Sequence, residues 1–278
     1  ARQERDRRLH EGADSRPLLT YEEARENRLA IDFAADEMPE PEFTGVRRES
    51  VDLEELVDYI DWTPFFLAWE MKYPYPQILE HDDYGEEARK LFAEGEAMLE
   101  RIIAEGRLRA EGVWGIFPAN AAGDDVLLYE DEGREQVCER LCNLRQQRKR
   151  HTDEEPNLCL TDFVAPESTG LADYLGAFAV TAGLGLDEIR AEFEAEHDEY
   201  NKIMVTVLAD RLAEAFAEYL HEQARAALGY PDDLTNEELF SFRKVFFGRP
   251  VSARPSTDRE EYTFATMSDG VKIALAVG

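Results

Sequence analysis

Cysteine is scarce in this chain. Cys138, Cys142 and Cys159 are the only three in 278 residues. An odd count in so long a chain, with no secretory leader, argues against a disulfide framework. Cys138 and Cys142 stand one helical turn apart and could share a metal, yet no His or second Cys pair completes a tetrahedral set nearby. Burial as ordinary core thiols is therefore the expectation. Basic residues are also in short supply, 31 Lys and Arg against 61 Asp and Glu, for a net charge of −30. Such a surface repels phosphate backbones and anionic membranes, so nucleic-acid binding would need a dense basic patch. The candidates are "RQERDRR" (2–8) and "LRQQRKRH" (144–151). Both read as solvated arms or loops; the second could instead be a docking patch for an acidic protein. No apolar run reaches the length of a membrane span, and "ARQERDRRLHEGADSR" carries charge where a signal peptide needs a hydrophobic stretch. A cytoplasmic protein with no membrane partner is expected. Also missing are a phosphate-binding glycine loop, a nucleophile elbow and a paired-cysteine zinc motif.

What is present begins with an arm and continues as a domain. Residues 1–48 are too charged and too poor in large apolar side chains to fold alone. They should lie across the domain or tether it to something upstream. Within them, Thr20 and Glu23 form a possible capping box for a short helix, and Pro39 and Pro41 force an extended segment. From about residue 49 the patterning is globular. "SVDLEELVDYI" predicts a helix capped by Ser50. "YGEEARKLFAEGEAMLERIIAEG" (84–106) sets Ala88, Leu91, Phe92, Met98, Leu99, Ile102 and Ile103 on one stripe, with Gly106 ending the helix. "GVWGIFPANAAGDDVLLYED" (112–131) reads as two short strands around an open Pro, Asn and Gly turn. "LCLTDFVAP" (158–166) and "ADYLGAFAVTAG" (172–183) read as strands. A single long helical stretch is predicted over 187–228, stopped by Gly229. A short helix at 235–243, a loop, and strands "YTFATM" and "VKIALAVG" complete the chain. Helices and strands mix without a βαβ rhythm, which favours an α+β fold with an antiparallel sheet.

Two patterns could carry chemistry. Glu194 with His197, and Glu218 with His221, have the i, i+3 spacing by which carboxylate-bridged di-iron bundles supply part of their ligands. In so Glu-rich a chain coincidence is the stronger account, they read as solvated or hydrogen-bonded helix-surface residues, and no metal site is assigned. The other pattern is "YIDWTPFFLAWEMKYPYPQIL" (59–79), seven aromatic rings around Asp61. Asp61 could cap the turn begun by Thr63-Pro64, with the rings as plain core. Alternatively, a carboxylate beside aromatic walls suits a ligand carrying an ammonium or sulfonium group.

Six blocks in order, "YIDWTPFFLAWEMKYPYPQIL", "GIFPANAAGDDVLLYED", "LRQQRKR", "LTDFVAPESTGLADYLGAFAVTAG", "HDEYNKIMVTVLADRLAEAFAEYLHE" and "LTNEELF", resemble the S-adenosylmethionine-binding activation domain of cobalamin-dependent methionine synthase. "RPLLTYEEARENRLAIDF" looks like the linker that precedes that domain. The resemblance implies residues 1–48 as linker and extended arm, and 49–278 as the activation domain. It implies a single α+β domain, C-shaped or helmet-like, with a central twisted antiparallel sheet flanked by helices.

The function implied is reactivation in methionine biosynthesis: the domain caps cobalamin and presents S-adenosylmethionine. With an electron from flavodoxin or a related reductase, cob(II)alamin is reductively methylated to methylcobalamin. S-adenosylmethionine and cobalamin are the implied cofactors, the latter held mainly by a partner cobalamin-binding domain. Family resemblance further places Asp61 at the ligand's amino group, Glu214 as a second acidic contact, and Arg249 and Val251 in the ligand loop "RPVSARP". That loop departs from the family pattern R-P-x-P-G-Y-P at Ala253 and Arg254. Without an Asp-x-His-x-x-Gly signature or zinc and folate modules, the chain reads as a methyltransferase module with no complete catalytic site of its own. The alternative is an interaction subunit of the same fold that caps a corrinoid protein without binding the ligand.

Overall fold

Residues 20–23 illustrate how local chemistry starts an element in this computed structural model, which describes residues 17–34, 40–152 and 155–229, and the backbone of 271–277. The Thr20 hydroxyl accepts from the Glu23 N–H at 3.2 Å while the Glu23 carboxylate accepts from the Thr20 N–H at 2.8 Å. The predicted capping box therefore opens helix α1, Tyr21–Glu26. Strand β1, Gly45–Val51, follows. Ser50 lies within it, so the predicted Ser50 cap is corrected: α2 is only Leu53–Leu56, its N-cap is Asp52, and no side chain caps it.

Next come a 3-10 turn at Val57–Tyr59, helix α3 at Thr63–Ala68, and helix α4 at Gly85–Glu105. Gly106 closes α4 in the left-handed conformation as the sequence predicts. Strand β2 is one long run, Arg109–Ala122, and pairs through a tight turn at Gly123-Asp124 with β3, Asp125–Tyr129. The open Pro-Asn-Gly loop is thus corrected: Pro118 and Asn120 lie inside β2. Pro118 lies in the gap between the β1 ladder, which ends at Ile116, and the β3 ladder, which begins at Ala119.

Strand β4, Val137–Cys142, was not signalled by the sequence; its residues are almost all exposed. Cys138 and Cys142 sit on it rather than a helical turn apart, and both are exposed. Only Cys159 is a core thiol. The segment 158–166 is a 3-10 turn, Leu160–Phe163, not a strand, because the Asp162 carboxylate folds back to accept from the Cys159 N–H. Strand β5, Asp173–Leu184, is as predicted.

The single helix predicted over 187–228 is two: α5, Leu186–Ala195, and α6, Glu199–Ala227. His197 adopts φ +59° between them. The N–H of Asp198 reaches the Phe193 carbonyl at 2.8 Å, and that of His197 reaches Glu194 at 3.1 Å. This is the Schellman helix ending, with His where glycine is usual. Asp198 then caps α6 by accepting from the Asn201 N–H.

Strand β6, Val271–Val277, joins a six-stranded sheet of order β4-β3-β2-β5-β6, with β1 also on β2. The β1-β2, β2-β3 and β3-β4 ladders are antiparallel, as an α+β fold requires. The chain forms two compact units, each with its own interior. The first takes the described part of Ala1–Thr44 with Phe117–Leu175; the second takes Gly45–Ile116 and the described part of Gly176–Ala276.

In the first unit, Arg145 is the organising side chain and is only 7% exposed. It pairs with Asp162 at 2.7 and 2.8 Å and with Asp124 at 2.8 Å, and donates to the Asn157 carbonyl. The α1 segment is held on the same unit. Leu19 N–H donates to Gln147, Lys149 N–H to Pro17, and the Asn27 amide to Asn157. In the second unit, α6 runs through the interior with Met204, Leu208, Leu212, Phe216 and Leu220 fully buried. Burying each such side chain contributes about 1.5–3 kcal/mol. Helices α2, α3 and α4 pack against α6.

Candidate functional site

The aromatic stretch resolves first into core. Phe65 and Phe66 have no exposed surface, and Trp62 keeps 9%. Trp62 meets Phe65 and Phe92 edge-on at 5.2 and 4.8 Å between ring centroids, while Phe66 stacks with Tyr75 and Phe92. Gly95 of α4 makes room for this cluster, since a Cβ there would lie 2.8 Å from the Phe65 ring. Most of the rings that drew attention to Asp61 therefore stabilise the fold.

Asp61 itself is held between two buried neighbours, Ile60 and Trp62, and is half-buried. Its Oδ1 accepts from the Thr63 N–H at 2.9 Å, at the start of α3, whose first turn contains Pro64. Among the described residues no other protein group occupies the carboxylate. Asp61 thus folds onto the Thr63 N–H just ahead of α3, whose N-cap is Trp62 without a side-chain cap, so the predicted capping is met only as this local turn. Glu214 lies on α6, half-buried, and α3 packs against that helix. The two acidic residues hence stand on neighbouring elements of one unit. Arg249 and Val251 fall outside the described residues, as do Ala253, Arg254, the predicted helix at 235–243 and "YTFATM".

Other sequence candidates are redistributed. Arg145 is no surface docking residue, because it is buried between two aspartates; Arg148 and Lys149 of the same basic run are exposed. Glu194 and His197 do not share a helix face, since His197 is beyond the end of α5, and Glu194 pairs with Lys202 at 3.3 Å. Glu218 is buried on α6, and His221 meets the Phe178 ring edge-on. Among the described residues no group of three or more His, Cys, Asp or Glu could hold a metal ion, and no helix is long and apolar enough to cross a membrane.

Sequence reasoning missed one polar pair beside Asp61. The Tyr59 hydroxyl donates to the Glu222 carboxylate of α6 at 2.6 Å, and the Tyr219 ring packs edge-on against Tyr59. Burial, then the neighbouring Glu222 carboxylate, raises the Tyr59 hydroxyl well above the usual phenol range. A contact spanning 163 positions leaves no local signal in the sequence.

The fold places the chain among α+β domains with an open antiparallel sheet braced by helices. Residues 52–260 match the family described as vitamin B12 dependent methionine synthase, activation domain. The chain belongs to that family. It is also similar to a crystal structure of the MetH reactivation domain bound to AdoHcy, at 49% identity and a TM-score of 0.75, over 82% of this chain and 70% of that one.

Proposed function

We propose that this methionine synthase activation module binds S-adenosylmethionine and presents its methyl group to cobalamin. The observation that carries this reading is the Asp61 carboxylate, fixed by one oxygen and with the other left for a cation, in a chain 49% identical to a domain crystallised with AdoHcy. AdoHcy and S-adenosylmethionine share the amino acid and adenosine ends and differ by the methyl group and its sulfonium charge. A site shaped for one fits the other wherever the sulfur can carry a methyl.

Asp61 pairs with the ligand's ammonium group. Arg249, through a two-pronged contact, is assigned to its carboxylate, and Val251 to the same loop. Glu214 faces the ligand and the cofactor from α6. Cobalamin, when a partner domain brings it, supplies the cobalt centre that accepts the methyl group. This chain's contribution is positional: it holds the sulfonium methyl at a fixed place and orientation, the kind of effect that lowers a barrier without a reacting side chain. In the same reading, residues 1–48 are the linker and arm, 49–278 are the functional domain, the setting is cytoplasmic, and a flavodoxin-type reductase provides the electron.

The test is calorimetric titration with S-adenosylmethionine, alongside Asp61→Asn. Wild-type binding near the micromolar range is expected, weakened about tenfold to a hundredfold in the variant, as for loss of a hydrogen bond to a charged group. Equal affinity in both proteins would remove Asp61 from the site.

A further inference from the structure

We infer that Tyr59 and Glu222 form a clamp that positions the binding carboxylate Asp61 against helix α6. This inference rests on the reading of Asp61 as a ligand contact. Three observations carry it. Tyr59 precedes Asp61 by two residues and ends the 3-10 turn Val57–Tyr59, whose chain then becomes extended at Ile60. A short turn of this kind has little rigidity of its own. The turn packs against α6 between buried Leu56 and Ile60, and its polar tie to that helix is the 2.6 Å hydrogen bond from the Tyr59 hydroxyl to Glu222, supported by the edge of Tyr219 at 5.8 Å.

On α6, Glu214, Glu218 and Glu222 follow one another at i, i+4 spacing and so form one ridge. Glu218, the middle member, is buried. The clamp therefore grips the same ridge that carries Glu214, two turns further along. Asp61 is fixed to α3 by Thr63 and, through Tyr59, to α6. The hydrogen bond touches neither acidic residue, and it adds to the packing of α3 on α6 a polar restraint on where Asp61 stands along the ridge.

Tyr59 and Glu222 are positioning residues, not ligand contacts, and the experiment is chosen to show it. Affinity for S-adenosylmethionine would be measured for Tyr59→Phe, Glu222→Leu, Glu222→Gln and Asp61→Asn, with the thermal midpoint of each. Tyr59→Phe and Glu222→Leu should each weaken binding about tenfold. Glu222→Gln keeps an acceptor for the phenol and should bind within about twofold of wild type. The rescue shows that the acceptor and not the charge of Glu222 matters, and the thermal midpoints separate the roles. Positioning predicts weaker binding in Tyr59→Phe at a near-wild-type midpoint, whereas a merely structural role lowers the midpoint and leaves the affinity of the folded protein unchanged. Wild-type affinity in Tyr59→Phe and Glu222→Leu, with Asp61→Asn weakened, would overturn the clamp and leave the binding site standing. Equal losses in Glu222→Gln and Glu222→Leu would also overturn it. Unchanged binding in Asp61→Asn, or none in the wild type, would overturn the site reading and the clamp together.

Discussion

Arg145 shows how far a side chain's surroundings can reverse its apparent role. In the sequence it heads a basic run suited to an acidic partner; in the fold its side chain is 1% exposed and held by Asp124 and Asp162. Removing one member of a buried charge set leaves the others unpaired, so Arg145→Met should cost about 3–5 kcal/mol in urea unfolding. Burial alone would raise the Asp124 carboxyl, but hydrogen bonding and charge from Arg145, with Tyr21 and Arg25, outweigh it and hold Asp124 below the usual carboxylate range. A carboxyl with a lowered folded pKa contributes stability that is complete above the unfolded value, near about 4. That contribution disappears as the pH falls through the lower folded value. Acid titration of stability should accordingly fall less steeply in Arg145→Met than in the wild type. Asp61 is the contrasting residue: its hydrogen bond to the Thr63 N–H lies inside the Asp-Trp-Thr-Pro stretch, two residues apart, and so was legible locally. The Tyr59 contact to Glu222 was not legible, since only folding brings the two together.

Helix ends decide the architecture at the scale of elements. Gly185 leaves β5 and starts α5 with φ +101°, and a Cβ there would lie 2.1 Å from the Arg107 carbonyl. Gly185→Ala thus combines backbone strain with a backbone clash, and should destabilise by about 2–4 kcal/mol or prevent folding. At the other end of α5, His197 occupies a left-handed position that glycine adopts without penalty. His197→Gly should leave stability unchanged or raise it by up to about 1 kcal/mol, measured by the same unfolding curves. A fall of similar size would mean that the imidazole makes a contact worth more than the strain. The sequence hid this ending because the apolar spacing runs on across it and neither Gly nor Pro marks the break. The end of α4 was legible for the opposite reason, since Gly106 stands at the stop.

Charge is the property of the whole molecule that acts on every element at once. With 61 acidic against 31 basic side chains, like charges repel one another across the folded surface. Salt shortens the reach of that repulsion to about 10 Å at 0.1 M and about 3 Å at 1 M. The thermal midpoint should therefore rise as sodium chloride is added from low concentration. A midpoint that falls instead would mean that the surface ion pairs, such as Arg107 with Glu192 and Arg101 with Glu105, outweigh the net repulsion.

The sequence by itself determined the α+β class, helix α4 with its glycine stop, the β5 strand and the family. These follow from local periodicity, glycine stops and ordered blocks of residues, all of which are short-range properties of the chain. Only the tertiary structure decided that Arg145 is internal, that Cys138 and Cys142 are exposed on an edge strand, and that Tyr59 grips Glu222. Each of these depends on which distant segments meet, and the energy of a buried charge or a long-range hydrogen bond is set by that meeting.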